Sequence, residues 1–168
     1  MTSEVGIGTT FVVEIPFEIA PPPEELPVKE AAPSGDIHGL KLLLAEDNEL
    51  NAEIAETLLT DAGAHVTIVK NGKKAVDCFE AAPPGTFDAI LMDVMMPVMD
   101  GLAATRAIRA IPRADARQIP ILAMTANAFE EDARQCLAAG MNVHLAKPLQ
   151  MDKVVAALME CCGKKRDL

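Results

Sequence analysis

Tryptophan and tyrosine are absent from this 168-residue chain, and five phenylalanines bring the aromatic share to only 3%. A core made from it has to be aliphatic, built on Leu, Ile, Val, Met and Ala, and a composition that is 50% apolar supplies enough of them. No apolar run approaches the roughly eighteen residues that cross a bilayer, which excludes a membrane-spanning helix. Basic residues are scarce. Fifteen Lys and Arg against 25 Asp and Glu leave a net charge of −10, so neither nucleic acid nor direct contact with an anionic membrane is expected. Four cysteines are few for a disulfide scaffold; none forms a CxxC pair, and no His stands at zinc-ligand spacing from one. Cys78, Cys136, Cys161 and Cys162 therefore read as reduced thiols, and the protein as cytoplasmic.

Proline and charge divide the chain. In residues 1–19, Thr10–Ile15 alternates as one β-strand does, after a Gly6-x-Gly8 turn and before Pro16. Residues 20–39 hold five of the 12 prolines and four acids against one Lys, the composition of a semi-extended linker. Residues 40–163 carry a domain, and 164–168 a short basic tail. Within the domain, strand-like runs (Leu40–Ala45, His65–Val69, Ala89–Met92, Ile121–Met124, Val143–Ala146) alternate with helix-period segments. The first such helix has Leu50, Ile54 and Leu58 at four-residue spacing and ends at Gly63; the others run over Lys73–Ala81, Leu102–Ile111, Glu130–Ala139 and Met151–Cys161. Five β-α units in strict alternation predict an α/β, doubly wound five-stranded parallel sheet with helices on both faces.

Ligands of such sheets bind beyond the C-terminal ends of the strands, and polar residues collect there. Glu46 and Asp47 follow the first strand of the domain, Asp93 the third, Thr125 the fourth and Lys147 the fifth. Singly, each carboxylate would pass as a cap for the next helix. Jointly, three clustered carboxylates need a cation, and oxygen ligands without nearby His or Cys suit Mg²⁺ better than zinc. An Asp facing Mg²⁺, a hydroxyl and an ammonium is the equipment of an aspartyl-phosphate site, with Asp93 as nucleophile.

Four segments carry a resemblance: Ala45-Glu46-Asp47-Asn48, Leu91-Met92-Asp93 through Asp100-Gly101, Met124-Thr125-Ala126-Asn127-Ala128-Phe129, and Leu145-Ala146-Lys147-Pro148. Together they resemble the receiver domain of two-component response regulators, in the wording found at the C-terminus of hybrid histidine kinases. The likeness implies the flavodoxin-like (βα)5 fold with strand order 2-1-3-4-5. It implies that Asp93 takes a phosphoryl group from phosphohistidine, with Asp47, Asp93 and the Met95 carbonyl around Mg²⁺ and Glu46 reaching it through water. Thr125 and the Ala126 N–H would contact the phosphoryl oxygens, Lys147 would pair with them, and the Lys147-Pro148 bond would be cis. Thr125 and His144 take the switch positions, His144 where many relatives carry Tyr or Phe.

The donor implied is the kinase's own dimerisation domain or a histidine phosphotransfer domain, with the first helix of the domain as its dock; a homodimer is also compatible. Residues 1–19 are similar to the closing strand of a histidine-kinase ATP-binding domain. On that reading the chain is a C-terminal piece of a histidine protein kinase, itself without a complete ATP site and without enzyme activity. Met95 cannot hydrogen-bond an attacking water, which predicts a long-lived phosphoryl group. The alternatives are a degenerate receiver acting only as an interaction module, and a phosphohydrolase with an Asp nucleophile. The full Glu46/Asp47/Asp93/Thr125/Lys147 set argues against the first, and Met95, where a second acid is needed, against the second.

Overall fold

The computed structural model describes residues 2–4, 6, 8–10, 12–14, 37–126 and 130–163. The chain divides into two units, within residues 1–30 and 31–168. In the first, β1 (Thr2–Glu4) pairs antiparallel with β2 (Gly8–Thr10), Ser3 opposite Thr9. Gly6, at φ +85°, supplies the left-handed turn residue between them. This differs from the single strand expected over Thr10–Ile15. Pairing lies on the N-terminal side of the glycines, where Thr2–Glu4 provides a partner; strand β2 ends at Thr10 and Val12–Glu14 carries no strand. Phe11, Ile15, residues 20–36 of the expected linker and the expected tail at 164–168 lie outside the described residues.

The second unit is a five-stranded parallel sheet in the order β4 (His65–Val69), β3 (Lys41–Ala45), β5 (Ala89–Asp93), β6 (Ile121–Thr125), β7 (Val143–Ala146). That is the doubly wound arrangement read from the alternation. Every residue of β5 and β6 is buried, as a strand covered on both faces requires, and the edge strand β4 is more open. One face packs against α1 (Glu49–Asp61) and α6 (Met151–Cys162), through Ala55, Leu59, Val154, Val155 and Leu158. The other face packs against α2 (Gly72–Ala81), α3 (Gly101–Ala110) and α5 (Glu130–Ala139), through Ala75, Phe79, Ala104, Ile108 and Cys136. Ile37, assigned to the linker by composition, is buried in the first of these layers.

Helix starts follow from side-chain caps. Asn48 accepts the Asn51 N–H, Asn71 the Lys74 N–H and Asp100 the Ala103 N–H. A short helix that periodicity did not reveal, α4 (Ala114–Gln118), lies between α3 and β6. It is held by Arg113, which pairs with Asp115 at 2.9 Å, donates to the carbonyls of Glu80 and Ala82 and stacks over Phe79. The Arg113 hydrogen bond holds the Asp115 carboxyl below its ordinary range.

Helix α1 turns an apolar stripe outward. Ala52, Ala55 and Leu59 are buried, whereas Leu50 is 64% exposed, Ile54 50% and Leu58 37%. Small side chains let the helix sit close on the sheet, and the four-residue stripe faces solvent. None of the helices among the described residues is long and apolar enough to cross a membrane.

Candidate functional site

The C-terminal ends of β3, β5, β6 and β7 bring together the residues that the sequence singled out. Glu46 and Asp93 are 3% and 5% exposed, and with Asp47 each offers a carboxylate oxygen within 4.8 Å of the others. Glu46 is fixed by its backbone N–H to the Val69 carbonyl, 3.1 Å away on the neighbouring strand. Lys147 follows β7, with its N–H donating to the Thr125 carbonyl at 2.7 Å. Its ammonium lies between two of the acids, Nζ 2.5 Å from Glu46 Oε2 and 2.6 Å from Asp93 Oδ2. Burial alone would push the Lys147 pKa down, but the hydrogen bonds and charges of Asp93 and Glu46 outweigh it and hold it above the ordinary lysine value.

The other oxygen of Asp93, Oδ1, accepts the Met95 N–H at 3.1 Å. The loop after β5 is kept close by glycine: Gly101 donates to the Val94 carbonyl, and a Cβ there would sit 2.2 Å from the Asp93 carbonyl oxygen. Val98 in that loop has φ +70° and is 85% exposed. Thr125 ends β6 beside Asp93 and is buried. Ala126 is exposed, and Asn127–Phe129 lie outside the described residues. His144 is half-buried on β7, opposite Ala123 and two register steps before the Thr125–Ala146 pair. The Lys147-Pro148 peptide is cis.

Three carboxylates against one bonded ammonium leave this cluster short of positive charge. Hard oxygen donors, two of them nearly buried, fit a divalent cation of the Mg²⁺ kind.

Two features escaped the sequence reading. Asn51, in the first turn of α1, donates its side-chain N–H to Glu46 Oε1 at 3.2 Å. A groove of about 370 Å³ is also lined by Glu46 and Lys147, with Asn51, Ile54, Leu58, Pro148 and Leu149. The Asn48-x-x-Asn51 spacing signals only the helix cap; the Asn51 side-chain bond to Glu46 and the outward stripe of α1 show only once the helix is placed.

The receiver family description, "Response regulator receiver domain", matches residues 42–159. Hybrid signal transduction histidine kinase I of Dictyostelium discoideum is 41% identical over 111 residues, covering 65% of this chain and 6% of that protein. Sensor protein GacS of Pseudomonas syringae pv. syringae is 39% identical over 125 residues, covering 73% of this chain and 13% of that protein. The chain thus spans a small part of the length of these relatives. Among solved structures, the receiver domain of a sensor histidine kinase from Pseudomonas aeruginosa, with magnesium coordinated in its active-site cleft, superposes with a TM-score of 0.67 at 43% identity, over 74% of this chain and 98% of that one. The receiver domain of a Saccharomyces cerevisiae response regulator, crystallised with its histidine phosphotransfer protein, gives 0.67 at 26%, over 76% and 95%. With five β-α units in receiver order, the acids at their strand ends and a family match over 118 residues, the chain belongs to the response regulator receiver domain family of two-component phosphorelays.

Proposed function

We propose that this receiver takes a phosphoryl group from phosphohistidine onto Asp93, and that it serves as the receiver of a hybrid sensor histidine kinase. The observation that carries the assignment is the placement of Lys147 Nζ against both Asp93 and Glu46 at the mouth of the sheet. An Asp93 oxygen attacks phosphorus; the O–P bond forms as the P–N bond breaks, and the imidazole nitrogen leaves with the electron pair and takes a proton. Lys147 stays with the phosphoryl oxygens as their charge collects, and the Thr125 hydroxyl and Ala126 N–H meet the remaining oxygens. Glu46, Asp47, Asp93 and the Met95 carbonyl are the groups that would hold Mg²⁺, which supplies neutralisation of the phosphoryl charge.

The outward stripe of α1 and the adjoining groove fit the docking of a phosphohistidine domain, whether the kinase's own dimerisation domain or a separate histidine phosphotransfer domain. Leu50, Ile54 and Leu58 offer exposed apolar anchors, and Ile54 and Leu58 line the groove together with Glu46 and Lys147. Phosphorylation then draws Thr125 inward and shifts the face made by α5, β7 and α6, where His144 lies; this is a change of population between two surfaces. Residues 1–19 we assign to the end of a kinase ATP-binding domain, residues 20–39 to a linker, 40–163 to the receiver and 164–168 to a tail.

Incubation with acetyl phosphate, with and without Mg²⁺, tests the assignment. Intact mass of the wild type should gain one Mg²⁺-dependent phosphate, and Asp93→Asn should gain none. No adduct from acetyl phosphate or from a phosphohistidine domain would leave only an interaction module.

A further inference from the structure

The first turn of α1 holds a side chain that the phosphoacceptor assignment leaves unused. The Asn51 backbone N–H is fixed by the Asn48 cap at 3.1 Å, and its side-chain amide reaches the other way, to Glu46 Oε1. This is the third residue of the helix, where a Glu or Gln ordinarily turns back to the N-cap backbone. A carboxylate there would have no N–H to give Glu46 and would repel it. Asn provides the donor on a short stem whose base the cap has already pinned.

Glu46 is 3% exposed, so its oxygens depend on protein donors: Asn51 at Oε1 and Lys147 at Oε2. A carboxylate held at both oxygens has its plane fixed. With Asn51 removed, Glu46 is left to follow Lys147 alone, and their mutual attraction competes with any cation that needs the same oxygens.

We propose that Asn51 is a positioning residue of the acidic site: by holding Glu46 Oε1 it orients that carboxylate for the cation and sets where Lys147 stands between Glu46 and Asp93. The inference rests on the reading of this site as a Mg²⁺-dependent phosphoacceptor. Hydrogen-bond partners of ligating groups generally tune a metal site by about tenfold or more in affinity.

Asn51→Ala is a discriminating variant, because it keeps the backbone N–H that Asn48 accepts and places a better helix former in α1. Calorimetric Mg²⁺ titration should give a Kd about tenfold weaker than wild type, with the metal-free protein folded and its melting temperature lowered only modestly, since the helix-favouring Ala offsets part of the lost hydrogen bond. At saturating Mg²⁺ the rate of labelling by acetyl phosphate should return to near the wild-type value. Asn51→Gln, which keeps the donor on a longer stem, should recover part of the affinity. Equal Mg²⁺ affinity in wild type and Asn51→Ala overturns the inference and leaves the phosphoacceptor reading standing. An affinity loss that merely follows a lowered melting temperature, with Gln no better than Ala, also overturns it by showing a structural role. A wild type that neither binds Mg²⁺ nor is labelled overturns both.

Discussion

The amide of Gly72, at the start of α2, donates to the carbonyl of Met99 at 3.1 Å, and a Cβ on Gly72 would stand 2.5 Å from that same oxygen. Met99 closes the loop that opens at Asp93, so the N-terminus of α2 buttresses the site from behind. Helix propensity alone would favour Ala over Gly by about 1 kcal/mol. Backbone overlap opposes that gain, and Gly72→Ala is expected to lose roughly 1–3 kcal/mol net in urea unfolding, together with weaker Mg²⁺ binding. Gly101→Ala, at 2.2 Å from the Asp93 carbonyl oxygen, should be worse.

Lys147→Met removes the ammonium from two nearly buried carboxylates and should cost the metal-free protein about 3 kcal/mol at neutral pH. Mg²⁺ should raise the melting temperature of this variant more than that of wild type. The Lys147 pKa is raised in the folded protein, so its contribution is complete below the unfolded lysine value of about 10.4 and is lost as pH rises through the folded value. Metal-free melting curves from pH 8 to 12 should therefore show the gap between wild type and variant closing only at the alkaline end. The chain has no Tyr to titrate in that window, and its four cysteines and remaining lysines cancel in the comparison.

Leu58→Ser tests the docking face of α1. Leu58 is 37% exposed, so part of its apolar burial is lost and stability should fall by about 1–2 kcal/mol in urea unfolding, leaving the domain folded. Transfer from a phosphohistidine domain should fall about tenfold, the effect of losing a modest interface anchor, while labelling by acetyl phosphate holds. An unchanged transfer rate would move the dock elsewhere.

Met95 is 75% exposed beside Asp93 and offers no hydrogen bond to water through its side chain. The phosphoryl group should persist for minutes or longer, and Met95→Asn, which can orient water, should shorten its life. Following the phosphate adduct by intact mass after the donor is removed checks both; decay within seconds in wild type would sink the idea.

Thr105, fully buried on α3, has a hydroxyl with no hydrogen-bond partner among the described residues. Thr105→Val removes a desolvated polar group at nearly constant shape and should be neutral or stabilising by about 1 kcal/mol in urea unfolding.

Much of this was legible because strands end abruptly in polar residues. An apolar run that stops at Glu46-Asp47, Asp93, Thr125 or Lys147 marks both the topology and the chemistry, since parallel strands deliver their ends to one edge. The α1 stripe was harder to place. Leu50, Ile54 and Leu58 have the periodicity of a buried face, and only the close seating of Ala52 and Ala55 shows that they point away from the sheet. Asn51 is one of several polar residues at a helix start, and its bond to Glu46 depends on how the helix is set against β3. The helix Ala114–Gln118 is too short to carry a period and is defined by Arg113 contacts over thirty residues away.

Asp93, the proposed nucleophile, terminates a strand in which Ala89, Ile90, Leu91 and Met92 have no solvent exposure at all, clamped between β3 and β6. Close-packed interiors of this kind hardly compress. A bulky, doubly charged group attached at Asp93 therefore meets an anvil rather than a spring. The yielding has to occur at the rim, in the connections bearing Met95, Thr125-Ala126 and Lys147-Pro148, and mechanical asymmetry of that sort gives a chemical event at one point a preferred direction across the surface.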